Sequence, residues 1–233
     1  MERIYSMLNT LISALIYVVV LLMCTIPHEI MHGYTAYFLG DNTAKWQGRL
    51  SFNPLKHINP RYATVILAGL FLSRIVPVLS SLATLFIWVG FVLLLKPVPI
   101  NPNNFSDPKK GMAITALMGP VTNFLFAFIS LVLYAYFGYR VPYLNEFLST
   151  LALYNITLGV FNFIPVPPLD GSRVLFAFLP QKYYFQVMEY ERYIQIVFLL
   201  LVWFGVLDTL VTRGSYNMLD FFFSIIEKLP GVM

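Results

Sequence analysis

The sequence predicts an all-α polytopic membrane protein of about six transmembrane helices or re-entrant passes, and three observations carry that prediction. Of 233 residues, 58% are hydrophobic and only 11% are charged, against about 25% charged in an ordinary water-soluble domain. Three stretches, 4–27, 111–139 and 147–169, hold no charged residue, and a bilayer span needs about 20 apolar residues. The net charge of +4 comes without a charge run or basic stripe, which suits Lys/Arg-bearing loops at a lipid bilayer and excludes nucleic acid as a partner. The lone cysteine, Cys24, can form no intrachain disulfide and carries no signal of an oxidising compartment.

Each element follows in chain order. The apolar run after Arg3 is longer than the roughly 7–15 residues of a signal-peptide core and lacks a small-x-small cleavage site, so it reads as a mature transmembrane helix. That helix covers about 6–39 and ends at the turn residues Gly40-Asp41-Asn42. In KWQGRLSFN, 45–53, Lys45, Gln47, Arg49 and Ser51 alternate with Trp46, Gly48, Leu50 and Phe52. That period of two predicts a short, half-buried, membrane-associated β segment. NPLKHINPRY, 53–62, is a loop bounded by Pro54 and Pro60. Residues 63–95 carry one charge, Arg74, with Pro77 close behind; the stretch exceeds one ordinary span and is expected to turn at 74–77. A loop rich in proline and asparagine, 96–110, precedes spans at about 111–138 and 146–164, the loop PVPPLDGSR at 165–173, and a span near 190–212. In 216–229, Leu219, Phe222, Phe223 and Ile226 share one helical face, which predicts an amphipathic C-terminal helix lying at the membrane interface. The whole chain, 1–233, is expected to form a single transmembrane domain.

The chemistry is concentrated in His28-Glu29-Ile30-Met31-His32, an H-E-x-x-H motif. Residues four apart share a helix face, so both imidazoles can reach one ion. Glu29 lies beside that face, where it can hold and deprotonate an attacking water. Placing these three groups in a membrane helix is costly unless they have partners, which marks them as functional. A catalytic zinc site takes three protein ligands and leaves one position open. His57 and Asp170 are the candidates for the third. Asp170 follows a proline-rich approach that fixes the backbone and brings a ligand charge, which favours it over His57, although Asp-Gly is also ordinary turn chemistry.

The segments HEIMHGYTAYFLGD, GRLSFNPLKHINP, KPVPINPNNF, GMAITALMGPVTN and NFIPVPPLDGSRVL cover most of residues 28–176. In these segments and their order the chain resembles the site-2 protease family of intramembrane zinc metalloproteases, in the compact bacterial form without a PDZ domain. The resemblance implies one zinc ion per chain held by His28, His32 and Asp170, with Glu29 as catalytic base. It also makes Asn123 and Asn162 motif positions near the site. Their amides could steady an oxyanion or position substrate, or each could satisfy a helix carbonyl. Asn59 stands where the family pattern leads one to expect aspartate, and the 63–95 segment is long for the family.

His32 and Asp170 must meet at one depth, which requires 63–95 to cross twice or bend back. A hairpin there puts ten Lys/Arg on the zinc-site face and five on the other, and the positive-inside rule then turns the site toward the cytoplasm of a multi-pass cell-membrane protein. The expected activity is hydrolysis of a peptide bond within or beside a transmembrane segment of a substrate protein. The unwound substrate backbone could add to the strand near 45–53, which could equally be a structural hairpin. A metal-ion transporter and a zinc hydrolase of lipid-linked substrates are the alternatives. The absence of an internal repeat or a second acidic pair weighs against the first, and no Arg/Lys cluster beside the site supports the second. An inactive scaffold is disfavoured by the intact Glu29.

Overall fold

The computed structural model describes residues 2–59 and 96–231. The expected pass or hairpin at 63–95 and its turn at 74–77 lie outside the described residues. Seven α-helices are found among the described residues: α1 (Glu2–Phe38), α2 (Thr43–Trp46), α3 (Pro108–Phe137), α4 (Leu144–Asn162), α5 (Asp170–Phe178), α6 (Gln181–Trp203) and α7 (Asp208–Ile226). The ends of the long helices obey local rules. Gly40 at φ +106° stops α1 in a conformation that disfavours a Cβ. The Asp107 carboxylate accepts the N–H groups of Lys109 and Lys110, and Pro108 fills the first helical position of α3.

Helix α3 is the hub, packing against α1, α4, α5 and α7. It runs antiparallel to α1, because Cys24 and His28 meet Asn123 while His32, further along α1, meets Thr115 earlier in α3. A short turn after α3 leads into α4, and Ala127, Leu131, Ala152, Ile156, Phe222 and Ile226 form the buried core between α3, α4 and α7. Tyr143 at the start of α4 donates to Asn9 of α1 at 2.8 Å. Thus α1 and α4 run the same way, and both bring their C-terminal ends to one end of the bundle.

Among the described residues two helices, Met7–Phe38 and Pro108–Phe137, are long and apolar enough to cross a bilayer, and a pair bent by 79°, Glu189–Trp203 with Asp208–Ile226, would make a third. Leu8, Leu11, Leu15 and Val18 of α1, and Leu125, Ile129 and Leu133 of α3, are exposed at helical spacing. Stripes of that size mark a surface that meets lipid.

Three expectations are corrected. Residues 45–53 form no strand: α2 ends at Trp46 and Gly48, at φ +63°, closes a turn. The alternation does not divide the segment into two faces: Lys45 and Gln47 are exposed beside Trp46, and Arg49 alone is buried. Trp46 and Phe52 are 78% and 70% exposed, whereas Arg49 is 4% exposed. Its guanidinium donates to the carbonyls of Lys56, Lys96 and Pro97, which give the buried charge its partners. The span expected near 190–212 is not one straight helix: α6 and α7 meet there in a bend of 79°, with Gly205 at φ +68° in it. Finally, the apolar face of 216–229 belongs to the longer α7, and Phe222 and Ile226 are buried in the bundle core rather than laid along the interface. A smaller difference concerns the loop 165–173, which ends at Leu169; Asp170 opens α5.

The segments on either side of 60–95 are neighbours. Lys96 donates its backbone N–H to His57 O at 2.8 Å. Asp41 binds the next stretch, accepting from Asn101 N and Asn104 Nδ2, each at 2.7 Å. These contacts lie at the end of the bundle where α1 and α4 finish.

Candidate metal centre

The motif residues sit on α1 where it crosses α3. Pro27 in α1 and Pro120 in α3 both lie at this crossing, and each removes one intrahelical hydrogen bond. Gly119 permits the close approach: a Cβ there would stand 2.6 Å from His28 Cε1 and closer still to the ring of His32. Asp170 reaches the same point from the first turn of α5. Gly171 beside it lies flat against the end of α4, since a Cβ would fall 2.7 Å from Ile164 O.

The ligand atoms of His28, His32 and Asp170 converge, all lying within 4.8 Å of one another. The two Nε2 atoms are 3.0 Å apart, and Asp170 Oδ2 lies 3.2 Å from that of His28 and 3.3 Å from that of His32. What surrounds the cluster decides what those atoms are. His32 Nδ1 faces the carbonyl of Thr115 at 2.8 Å, so it carries a proton, and in the neutral ring Nε2 presents a lone pair. His28 Nδ1 faces Asn123 Oδ1 at 2.6 Å. The Asn123 amide cannot be reversed there, because its Nδ2 donates to the carbonyl of Cys24 at 3.0 Å. His28 Nε2 is therefore a lone pair as well. Asp170 Oδ2 is buried with no hydrogen-bond donor. With both rings neutral, three acceptors point at one another, an arrangement that a cation at its centre, a proton or a metal ion, relieves. A tetrahedral zinc with bonds of about 2.0–2.2 Å sets neighbouring ligand atoms about 3.3–3.6 Å apart, close to the spacings found. The residues present fit the ion.

Glu29 is half-buried beside the cluster, and its Oε2 accepts the backbone N–H of Val98 at 2.9 Å. Pro97 and Pro99 flank Val98 and have no N–H, so this is the single donor of that triplet. His57 is not at the cluster. It is fully buried with Nε2 donating to Ser51 O at 2.6 Å. Asn123 is at the site but spends both N–H bonds inside the bundle, on Cys24 O and Asn155 Oδ1, which leaves no donor for an oxyanion. Asn162 donates to Leu158 O of its own helix at 3.1 Å. Asn155 was missed by sequence reasoning; the available signal was an amide in the middle of an uncharged 23-residue stretch, 147–169.

Comparison with known proteins agrees with this chemistry. The model of the family described as Peptidase family M50 matches residues 140–203. YwhC of Bacillus subtilis, named as a candidate zinc metalloprotease, is 32% identical over 224 residues, covering 91% of this chain and 93% of YwhC. The zinc metalloprotease MJ0392 of Methanocaldococcus jannaschii is 37% identical over 78 residues, covering 33% of this chain and 22% of that protein. No solved structure matches the chain significantly.

Proposed function

The chain belongs to peptidase family M50, the site-2 proteases, and is an intramembrane zinc metalloprotease; on that premise we propose that His28, His32 and Asp170 hold the zinc and that Glu29 is the catalytic base. The observation that carries the assignment is the convergence of two imidazole nitrogens and a carboxylate oxygen, all within 4.8 Å of one another.

Bound there, zinc supplies a Lewis acid that polarises the scissile carbonyl and acidifies the attacking water. Glu29 takes the proton of that water on a carboxylate oxygen and returns it to the leaving amine nitrogen. The N–H of Val98 holds Oε2, leaving Oε1 to face the water. Thr115 O and Asn123 Oδ1 hold the two imidazoles in the tautomer that binds metal. A helical substrate hides its carbonyls in its own hydrogen bonds, so the substrate is a transmembrane segment that unwinds locally before the cut.

The protein is a multi-pass component of the cell membrane with about six spans or re-entrant passes in one domain, and the zinc site faces the cytoplasm. The adjacency of His57 and Lys96 supports this, because it brings the two described segments that flank 60–95 together at the site end.

Cleavage of a transmembrane peptide by the reconstituted protein tests the reading, with zinc content measured in parallel. Glu29→Gln should keep its zinc and lose about 100-fold or more of the rate. Asp170→Ala should lose zinc while His57→Ala keeps it. Wild-type cleavage by Glu29→Gln, or the reverse order of zinc loss, overturns the assignment.

A further inference from the structure

Two amides inside the bundle, Asn123 and Asn155, are each 1% exposed. They form a chain whose direction is fixed. The carbonyl of Leu151 accepts from Asn155 Nδ2 at 2.8 Å. A backbone carbonyl can only accept, so Asn155 must turn its Oδ1 the other way, toward Asn123. Asn123 Nδ2 donates to that oxygen at 2.8 Å and to the Cys24 carbonyl at 3.0 Å, and Asn123 Oδ1 is left facing His28 Nδ1. The two histidines are therefore held differently. His32 is set by a backbone carbonyl, which has one polarity. His28 is set by a side-chain amide whose orientation rests on the two acceptors of its Nδ2, the Cys24 carbonyl and Asn155 Oδ1; reversed, it would offer N–H groups instead. An amide turned that way would demand the opposite imidazole tautomer, with a proton on Nε2 where the metal binds.

We propose that Asn155 is a positioning residue for the zinc ligand His28, acting through Asn123. Its Oδ1, on α4, acts with the Cys24 carbonyl of α1 to hold the Asn123 amide of α3 in the orientation that keeps a lone pair on His28 Nε2. Three helices are thereby tied to one metal bond, and α4 takes part in the site without contributing a ligand. The inference rests on the ligand assignment above and deepens it.

The test uses the full-length protein in detergent, with zinc affinity measured by chelator competition and geometry read from the visible spectrum of the cobalt-substituted form. Asn155→Leu keeps the side-chain branching and removes the acceptor. It should weaken zinc binding about 10–100-fold and broaden the cobalt spectrum, while the fold, read by thermal unfolding of the metal-free protein, is retained. Asn155→Asp still accepts from Asn123 Nδ2 in either protonation state, and should restore affinity to within several-fold of wild type. His32→Ala is the reference for loss of the site itself. Metal binding that depends on His32 but is unchanged in Asn155→Leu overturns the relay alone. An Asn155→Asp protein as weak as Asn155→Leu overturns it too. Metal binding indifferent to His32 overturns the ligand assignment beneath it.

Discussion

At the residue scale, the site is as much a matter of missing atoms as of ligands. Gly119 is the point where α3 touches both imidazoles, and any side chain there must push one of them. Gly119→Ala should therefore lower zinc affinity about tenfold or more and cost roughly 1–3 kcal/mol of stability through overpacking. Chelator competition and the thermal midpoint read the two effects separately; wild-type affinity in the variant would mean that the histidines are not pinned against α3. The pair His28 and His32, with Glu29 between them, was legible because residue types that bind metal recur at a spacing the helix repeat makes meaningful, whereas Asp170 could be favoured over His57 only on its proline-rich approach and its charge. Gly119 and Asn155 were not. A glycine or an amide within an apolar run announces no partner, and what each does depends on which helix the fold lays against it. Asn123 shows the limit clearly: its importance could be read, but its role as a clamp on His28 depends on Cys24 and Asn155, distant in sequence.

At the element scale, the long helices were legible from apolar length and from their caps. The segments between them were less legible, because a period of two does not by itself make a strand. The period of two in 45–53 is the pattern of a half-buried strand only when water covers the polar side. Here Trp46 and Phe52 face out and Arg49 is enclosed by carbonyls, so the same spacing belongs to a turn. Asp41 plays the matching part at the end of α1. It is fully buried and accepts from Thr43 N, Thr43 Oγ1, Asn101 N and Asn104 Nδ2. Burial alone would raise its pKa, but those hydrogen bonds outweigh it and hold the carboxyl below its ordinary value. A depressed carboxylate stabilises the fold above its unfolded pKa of about 3.9 and loses that contribution as pH falls through the folded value. Asp41→Ala should cost about 2–4 kcal/mol, seen as a lower thermal midpoint near neutral pH. The gap between wild type and Asp41→Asn should narrow below about pH 4. A gap that stays constant with pH would show that the charge of Asp41 is not what binds 96–104 to α1.

At the scale of the whole molecule, the contacts define two ends. Lys109 donates to Leu179 O, joining the start of α3 to the end of α5 at the site end. Tyr136 donates to Pro230 O at 2.5 Å, joining the end of α3 to the C-terminal turn at the other. Exposed Lys110 and Lys182 therefore belong with the metal centre, and exposed Arg140 and Lys228 with the opposite face. Ten of the 15 Lys and Arg fall on the site side when residues 63–95 return to it, and cytoplasmic loops carry that excess. The buried Cys24 is the one native thiol, so Cys24→Ala gives a clean background for single cysteines at these four positions. A membrane-impermeant maleimide applied to intact cells should label Arg140→Cys and Lys228→Cys, and should reach Lys110→Cys and Lys182→Cys only after lysis. The reverse pattern would put the zinc site on the outer face. Labelling that divides Lys110 from Lys182 would break the end-to-end pairing on which the shared depth of His32 and Asp170 depends.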